Sequence, residues 1–353
     1  NDKTATEGDG GDVRAGYDKG FWVETADGNY RAKLSGGFTP RLNVRDVAEP
    51  SDDGDELRFL IRRARIKLSG HSFTPKLDWT VQMGLGGSGN ARLLDGYIEY
   101  EIAKDALYFH AGKARLPYLR EQITSHSRLQ FSERSIVEEA FGEGRDVGIA
   151  LNRFKTDGFE WTVGVYNGTV SDLPTNPPAD VGERFFEPAI SARLGWSSDG
   201  MKGYAEGDIE GGPLRFAVGL AGLSQLAMAD GAERADKVGL DVMLKVRGFS
   251  FLASGHTAAR SAGDGFFDQE LFLTGLRAQA GYVIASLVEP VARYAVVIPT
   301  ADDTMTQEAR GGVNVYFVGH RLKLQADAGA TIRTMPTYER TDWNGRLQAV
   351  IRF

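Results

Sequence analysis

The stretch Arg321 to Thr334, RLKLQADAGATIRT, alternates between two kinds of side chain. One face is aliphatic, and the other carries charged and polar groups. The two sets are Leu322, Leu324, Ala326, Ala328, Ala330 and Ile332 against Arg321, Lys323, Gln325, Asp327, Thr331 and Arg333. A period of two is the repeat of a β-strand whose faces meet different surroundings. The stretch therefore predicts a strand with one apolar face and one wet, charged face.

The same alternation recurs along the chain, for example in KVGLDVMLKVR at 237–247 and KLDWTVQMGL at 76–85. About sixteen such segments are predicted. They lie at 29–45, 56–69, 76–86, 92–103, 106–116, 146–153, 159–167, 186–197, 213–225, 236–247, 248–259, 270–284, 288–300, 306–319, 321–334 and 344–353.

Length and composition narrow the class of protein. A chain of 353 residues is usually two domains, but one large closed sheet also accommodates this length. The net charge of −7 argues against a nucleic-acid partner. The absence of cysteine excludes disulfides and thiolate metal sites.

No apolar run reaches the roughly 18–20 residues that a membrane helix needs. A membrane-spanning chain of this kind must therefore form a closed barrel. An even strand count near sixteen is typical of outer-membrane barrels with an aqueous lumen. We predict an all-β fold, a transmembrane antiparallel β-barrel of about 16 strands. A soluble all-β protein remains the alternative, since its strands also alternate.

The connectors alternate between short turns and long polar loops, which is the barrel pattern. The longest, residues 116–145, is called the long loop here, and a connector of this length is usually functional or disordered. In a wide barrel it can fold into the lumen and narrow the pore.

Residues 1–28 are predicted to be a partly disordered periplasmic segment, and residues 29–353 a single barrel. The start of the chain carries no export signal, which favours a processed form.

Several stretches resemble the phosphate-selective porin O/P family of Gram-negative outer membranes. The strongest are GLRAQAGYVIASLVEPVARYAVVIP at 275–299 and GGVNVYFVGHRLKLQADAG at 311–329. FLIRRARIKLSG at 59–70, LLDGYIEYEI at 93–102 and AGKARLPYLREQITSHS at 111–127 are also similar to family segments. The terminal Phe353 resembles the signal for outer-membrane assembly.

The resemblance implies an integral outer-membrane porin, a homotrimer of 16-stranded barrels, with the third loop folded into the lumen. It also implies basic side chains that guide anions such as phosphate. Expected partners are small anionic solutes, outer-membrane lipid and lipopolysaccharide, with no cofactor. Two alternatives stay open: a non-selective or carboxylate or sugar nutrient porin, and a structural or adhesion barrel without an open channel.

An anion pore needs fixed positive charge facing water inside a narrow passage. Strand parity and the long loop supply the candidate pore-lining and solute-binding residues: Arg63, Arg65, Lys67, Asp95, Arg120, Arg128, Arg193, Arg215, Lys245, Arg293 and Lys323. Asp95 is a candidate for orienting Arg120 or another base. Parity places Arg62 on the face opposite Arg63.

Catalytic and metal sites are not expected. The five histidines, His71, His110, His126, His256 and His320, are scattered and form no recognisable catalytic set. The acidic run SDDGDE at 51–56 lacks the spacing of a calcium loop, and a solvated charge run explains it better.

Overall fold

The computed structural model describes residues 6–7, 13–46, 55–86, 91–154, 158–168, 188–201, 203–226, 234–261, 271–300 and 304–353. Most of the predicted long loops, the acidic run at 51–54 and most of residues 1–12 lie outside this part of the chain.

The described strands follow the predicted segments closely. In chain order they are β1 (Thr6–Glu7), β2 (Val13–Tyr17), β3 (Phe21–Thr25), β4 (Arg31–Asp46), β5 (Glu56–Ser72), β6 (Thr74–Gly84), β7 (Arg92–Ala103), β8 (Leu107–Arg115), β9 (Arg145–Arg153), β10 (Phe159–Tyr166), β11 (Ala189–Ser197), β12 (Arg215–Gln225), β13 (Arg234–Val246), β14 (Phe249–Ser261), β15 (Leu271–Tyr282), β16 (Val288–Pro299), β17 (Met305–Tyr316), β18 (Leu322–Thr334) and β19 (Glu339–Arg352).

The strands β4 to β19 form a closed antiparallel barrel. Each pairs with its neighbours in the chain. The last strand pairs with the first, with Leu347 of β19 opposite Leu42 of β4. Each of these sixteen strands overlaps one predicted segment, so the predicted fold class is confirmed.

The two faces of the wall have opposite chemistry. Leu194, Leu220 and Leu240 lie side by side at the middle of β11, β12 and β13, and each is about half exposed. The alternate positions, such as Arg193 and Asp241, are buried. A soluble protein would bury its apolar face, whereas this sheet exposes it as a continuous band. The soluble all-β alternative is therefore wrong.

Three strands precede the barrel, where the sequence analysis predicted none. The short β1 pairs with β2. β2 pairs with β3, and β3 pairs with the start of β4, with Phe21 opposite Leu34. Gly36 of β4 exchanges backbone hydrogen bonds with Phe353, the last residue. Residues 31–35 of β4 therefore lie beyond the end of β19. The hairpin thus continues the sheet below the end of the last strand. Its periplasmic position stays a prediction.

One rim carries short turns with left-handed residues, including Phe73, Asp105 and Gly248. The connector between β11 and β12, residues 198–214, leaves the same rim but is much longer. It lies beside the β13–β14 turn, since Gly212 O accepts a hydrogen bond from Arg247 N. The sequence analysis did not single out this segment, which we call the β11–β12 connector.

The long loop runs between β8 and β9 and contains two short helices, α1 (Arg120–Ile123) and α2 (Ile136–Phe141). Ser135 caps α2 by accepting a hydrogen bond from the Glu138 backbone N–H. Apolar loop side chains pack against small residues on the buried face of the wall, namely Ala150, Ala189, Ala221, Ala258 and Ala295. These alanines leave the space that the loop occupies. Among the described residues, no helix has the length and apolar character to cross a membrane.

The exposed apolar band gives a stability prediction. Replacing Leu220 with Arg puts a charge at the middle of a lipid-facing strand, and we expect the free energy of unfolding to fall by about 2–4 kcal/mol. Reversible folding into lipid vesicles under denaturant titration measures this change.

The matched control is Leu220→Ile, which keeps volume and hydrophobicity and is expected to cost less than about 1.5 kcal/mol. Equal stability of the Arg and Ile variants would mean that this face does not contact lipid.

Candidate pore

The first helix of the long loop is held to the wall by ion pairs. Arg120 pairs with Asp241 of β13, and both are buried. The Glu121 carboxylate lies 3.3 Å from Arg277 Nη1 and 3.7 Å from Arg293 Nη1. Burial by itself raises the pKa of Glu121, but these two guanidinium groups outweigh it and lower the pKa below its ordinary value. The short helix is therefore tied to β13, β15 and β16.

A second anchor of the long loop is Glu133, which three arginines share. Its carboxylate lies 2.6 Å from Arg41 Nη1, 2.5 Å from Arg62 Nε and 2.7 Å from Arg63 Nη2. A β-bulge between β4 and β5 leaves Arg62 without an opposite residue. Because the bulge breaks strict alternation, both neighbouring arginines reach one carboxylate. Parity alone would have separated them.

The middle of the long loop contacts the wall through amides. The Gln130 side chain donates to Glu289 at 2.6 Å, and Asn314 donates to the Gln130 carbonyl at 2.9 Å. Lys323 donates to the Leu129 carbonyl at 2.7 Å. Each buried polar group at this point meets a partner, so the loop backbone has a fixed position.

Seven of the predicted pore residues lie in these contacts or in contacts with the β11–β12 connector: Arg63, Arg120, Arg193, Arg215, Lys245, Arg293 and Lys323. Arg193 pairs with Asp241 at 2.7 Å, and Arg215 with Asp208 at 2.5 Å. Lys245 donates to two backbone carbonyls of the connector, at 2.5 and 3.1 Å. Acids or backbone carbonyls bind each of these cations, and none of the seven lines the cavity described next.

A cavity of about 420 Å³ lies between the long loop and the buried face of β4–β10 and β19. Its lining contains six arginine or lysine residues and two acids, so its charge is net positive. These residues are Arg65, Lys67, Arg115, Arg128, Arg145 and Arg352, with Asp95 and Glu99. Of the eleven predicted residues, the cavity brings together Arg65, Lys67, Asp95 and Arg128.

Five of the cavity's six cations have no carboxylate partner among the described residues: Arg65, Lys67, Arg115, Arg128 and Arg352. Arg65 lies 3.0 Å from the ring of His126, and Arg352 donates to the Ser127 hydroxyl at 2.7 Å. Lys67 and Arg128 form no ion pair in this part of the chain. Burial lowers the pKa of His126 well below its ordinary value of 6.5, and the surrounding arginines lower it further. His126 is therefore a neutral acceptor for Arg65 at neutral pH.

Asp95 positions a base, but that base is Arg145, with Arg145 Nε 2.8 Å from a carboxylate oxygen of Asp95. Arg120 pairs elsewhere. Arg145 shares the parity of the outward-facing Val147 and Ile149, so alternation assigns it to the wrong face. Arg145 is the first residue of β9. At a strand end, a long side chain can reach the face opposite to the one that alternation assigns to it.

The sequence analysis also missed Arg115 and Arg352 as cavity residues. Arg115 donates to the carbonyls of Gln122 and Thr124, both at 2.7 Å, and so holds the loop backbone beside the cavity. By parity, Arg352 falls on the polar face of the last strand, so the sequence pattern was sufficient to predict that it faces inward. No pattern in the sequence indicates that the loop residues Ser127 and His126 lie beside it.

The sequence model of the family described as phosphate-selective porin O and P matches residues 35–186. The resembling stretches at 59–70, 93–102 and 111–127 lie inside the match, and those at 275–299 and 311–329 lie outside it. The family resemblance is confirmed, and the protein is an integral outer-membrane channel. No curated protein matches the chain in sequence.

Solved porins share the fold. The outer membrane channel DcaP of Acinetobacter baumannii is 14% identical with a TM-score of 0.62, over 94% of this chain and 99% of that chain. The anion-selective porin from Comamonas acidovorans is 10% identical with a TM-score of 0.61, over 91% and 99%. The trimer form of OmpT from Vibrio cholerae is 12% identical with a TM-score of 0.58, over 91% and 99%. At these identities the similarity establishes the barrel fold alone.

The shared carboxylate of Glu133 gives a prediction for loop anchoring. Replacing Glu133 with Gln leaves Arg41, Arg62 and Arg63 without a charged partner. We expect the free energy of unfolding to fall by about 1.5–3 kcal/mol, as for hydrogen bonds to charged groups. Denaturant titration in detergent measures the change.

The matched control is Glu139→Gln, an exposed glutamate in the same loop, for which no change is expected. Although burial alone raises the pKa of Glu133, Arg63, Arg41 and Arg62 hold it well below its ordinary value of 4.5. Its contribution is therefore complete above about pH 4.5 and is lost as the pH falls further. A wild-type advantage that disappears already at pH 6 would contradict this assignment.

Proposed function

We propose that the protein is an anion-selective porin that lets small hydrophilic anions, phosphate among them, diffuse passively across the outer membrane. The observation that carries the proposal is a cluster of five cations in one cavity that have no carboxylate partner in the described part of the chain: Arg65, Lys67, Arg115, Arg128 and Arg352.

The proposed pathway crosses this cavity, with the long loop as the pore constriction inside the lumen. A water-filled passage with low-dielectric walls focuses the field of fixed charges and raises the local concentration of anions. Arginine side chains suit oxyanions because the planar guanidinium can donate to two oxygens at once. Arg65 and Arg352 supply this chemistry, and Lys67 supplies a mobile point charge.

The paired cations take a different role in this proposal. Five of them are arginines that pair with acids such as Asp241, Asp208 and Glu121. Lys245 and Lys323 donate to backbone carbonyls. In this proposal these cations position the wall and the loop and do not attract solute. Asp95 reduces the charge of Arg145 in the same way. The electric field that attracts anions therefore comes from the cations that line the cavity.

Trimer assembly and contact with lipopolysaccharide are part of the proposal. A fold neighbour, OmpT, is described as a trimer form. The exposed apolar band accounts for contact with lipid tails. The absence of catalytic function is a prediction of the same proposal.

A non-selective nutrient porin is the second candidate, and Glu99 favours it. This carboxylate lines the cavity and lies 3.7 Å from His110 Nδ1, so part of the lining is acidic. Measurement of ion selectivity separates the two candidates.

The test is single-channel recording of the purified protein in a planar bilayer, with reversal potential under a KCl gradient and phosphate then added. Anion-selective current that phosphate carries or blocks supports the proposal. Cation-selective or unselective current would agree with a porin but would contradict the anion mechanism. A complete absence of current would favour a structural or adhesion barrel.

Arg65 gives the specific prediction. Replacing Arg65 with Gln removes about 1 kcal/mol of interaction with a passing monovalent anion, which corresponds to a roughly fivefold lower chloride-to-potassium permeability ratio. Reversal potentials under a KCl gradient measure the ratio.

The matched control is Arg58→Gln on the same strand. Arg58 has a side chain 69% exposed and lies 3.9 Å from Glu56. We expect its reversal potential to equal that of the unmodified channel. Equal shifts in both variants would show that total charge, and not the cavity, sets the selectivity.

A further inference from the structure

The β11–β12 connector leaves the short-turn rim and meets the long loop from below. The Glu206 backbone N–H donates to the Arg128 carbonyl at 3.0 Å, and the Glu206 carboxylate accepts from the Gln130 backbone N–H at 2.8 Å. Thr124 donates its hydroxyl to the Tyr204 carbonyl at 3.1 Å. The loop forms a 3₁₀ turn at His126–Arg128, and these bonds link the connector to the loop on both sides of that turn.

The other side of the connector is bound to the wall. Glu206 accepts from Arg277 of β15 at 2.9 Å and from Gln279 at 3.1 Å. Asp208 accepts from Arg215 of β12 at 2.5 Å and from the Gly248 backbone N–H at 2.9 Å. Both acids are only 2% exposed. An exposed turn needs no such buried charges, so this segment has a defined place against the buried face of β12–β15.

The connector and the cavity lie on different sides of the lumen. The wall contacts just described are on β12–β15, whereas β4–β10 and β19 line the cavity. The two meet where the Tyr204 ring stacks on Phe154 with centroids 5.4 Å apart, and at Arg128, whose carbonyl accepts from Glu206. Phe154 lines the cavity, and the hydroxyl of Tyr204 donates to Glu160 of β10. The connector therefore ends where the cavity begins.

We infer that the β11–β12 connector is a second constriction element: it seals the β12–β15 side of the lumen beneath the long loop and confines solutes to the basic cavity. This inference rests on the proposed anion pathway. Its residues act by position, since Glu206 holds the backbone of Arg128 and Gln130 while its own charge is compensated by Arg277.

A seal differs from a structural brace in its effect on the path of the current. Without residues Gly203 to Glu210, the lumen beside Lys245 and Arg277 fills with water, and a second passage opens. Ions then bypass Arg65. A brace would alter stability and leave one passage through the basic cavity.

The experiment compares the complete chain with a variant lacking Gly203 to Glu210, each with and without Arg65→Gln. The deletion keeps a linker between β11 and β12, whose ends are paired at Ser197 and Ala217. Heat-modifiable migration on gels and far-UV circular dichroism confirm that each variant has folded. Single-channel conductance and reversal potential under a KCl gradient are recorded for all four.

We expect the deletion to raise conductance about twofold or more, because a second water-filled passage runs in parallel with the first. The roughly fivefold effect of Arg65→Gln on the permeability ratio should shrink to less than about twofold in the deleted protein. The milder variant Glu206→Ala, for use if the deletion does not fold, is expected to move both readouts in the same direction.

Unchanged conductance, with the full Arg65→Gln effect still present in the shortened channel, would overturn the inference and leave the proposed function intact. If Arg65→Gln has no effect in the complete chain, the anion pathway itself fails, whatever the deletion does.

Discussion

The pairing of β19 with β4 is the constraint on which the rest of the structure depends. In hydrocarbon every backbone N–H and C=O must find a partner within the protein, and a sheet achieves this only by closing. Closure of sixteen strands exposes one face to lipid and encloses the other. The exposed face can then be aliphatic throughout, while the enclosed face has to satisfy its own polar and charged groups.

The enclosed charges determine how the interior is filled. Removing one partner from a buried ion pair costs several kcal/mol, so cations such as Arg277 and Arg293 require acids close by. The long loop and the β11–β12 connector bring those acids, Glu121 and Glu206, to the wall. Small residues such as Ala221 and Ala258 leave the space for them. On the other side of the lumen, between the long loop and β4–β10, the cavity is lined by cations that have no carboxylate partner among the described residues.

Strand parity identified the inward-facing residues well because the side-chain period of a strand is two. Lys67, Arg193, Lys245 and Lys323 all lie on the predicted face. Parity was unreliable where the strand lattice is interrupted, at the bulge beside Arg62 and at the first residue of β9. Such interruptions depend on the register between neighbouring strands, which a single strand's sequence does not specify.

The sequence by itself determined the sixteen strands, their two faces and the length of the connector after β8, because each of these is a local pattern read within one segment. Only the tertiary structure decided which inward cations pair with an acid. Parity placed Arg65 and Arg193 on the same face of the wall, yet one lines the cavity and the other pairs with Asp241. The difference arises from acids distant in the chain, and the net charge of a site in a low-dielectric interior depends on those partners.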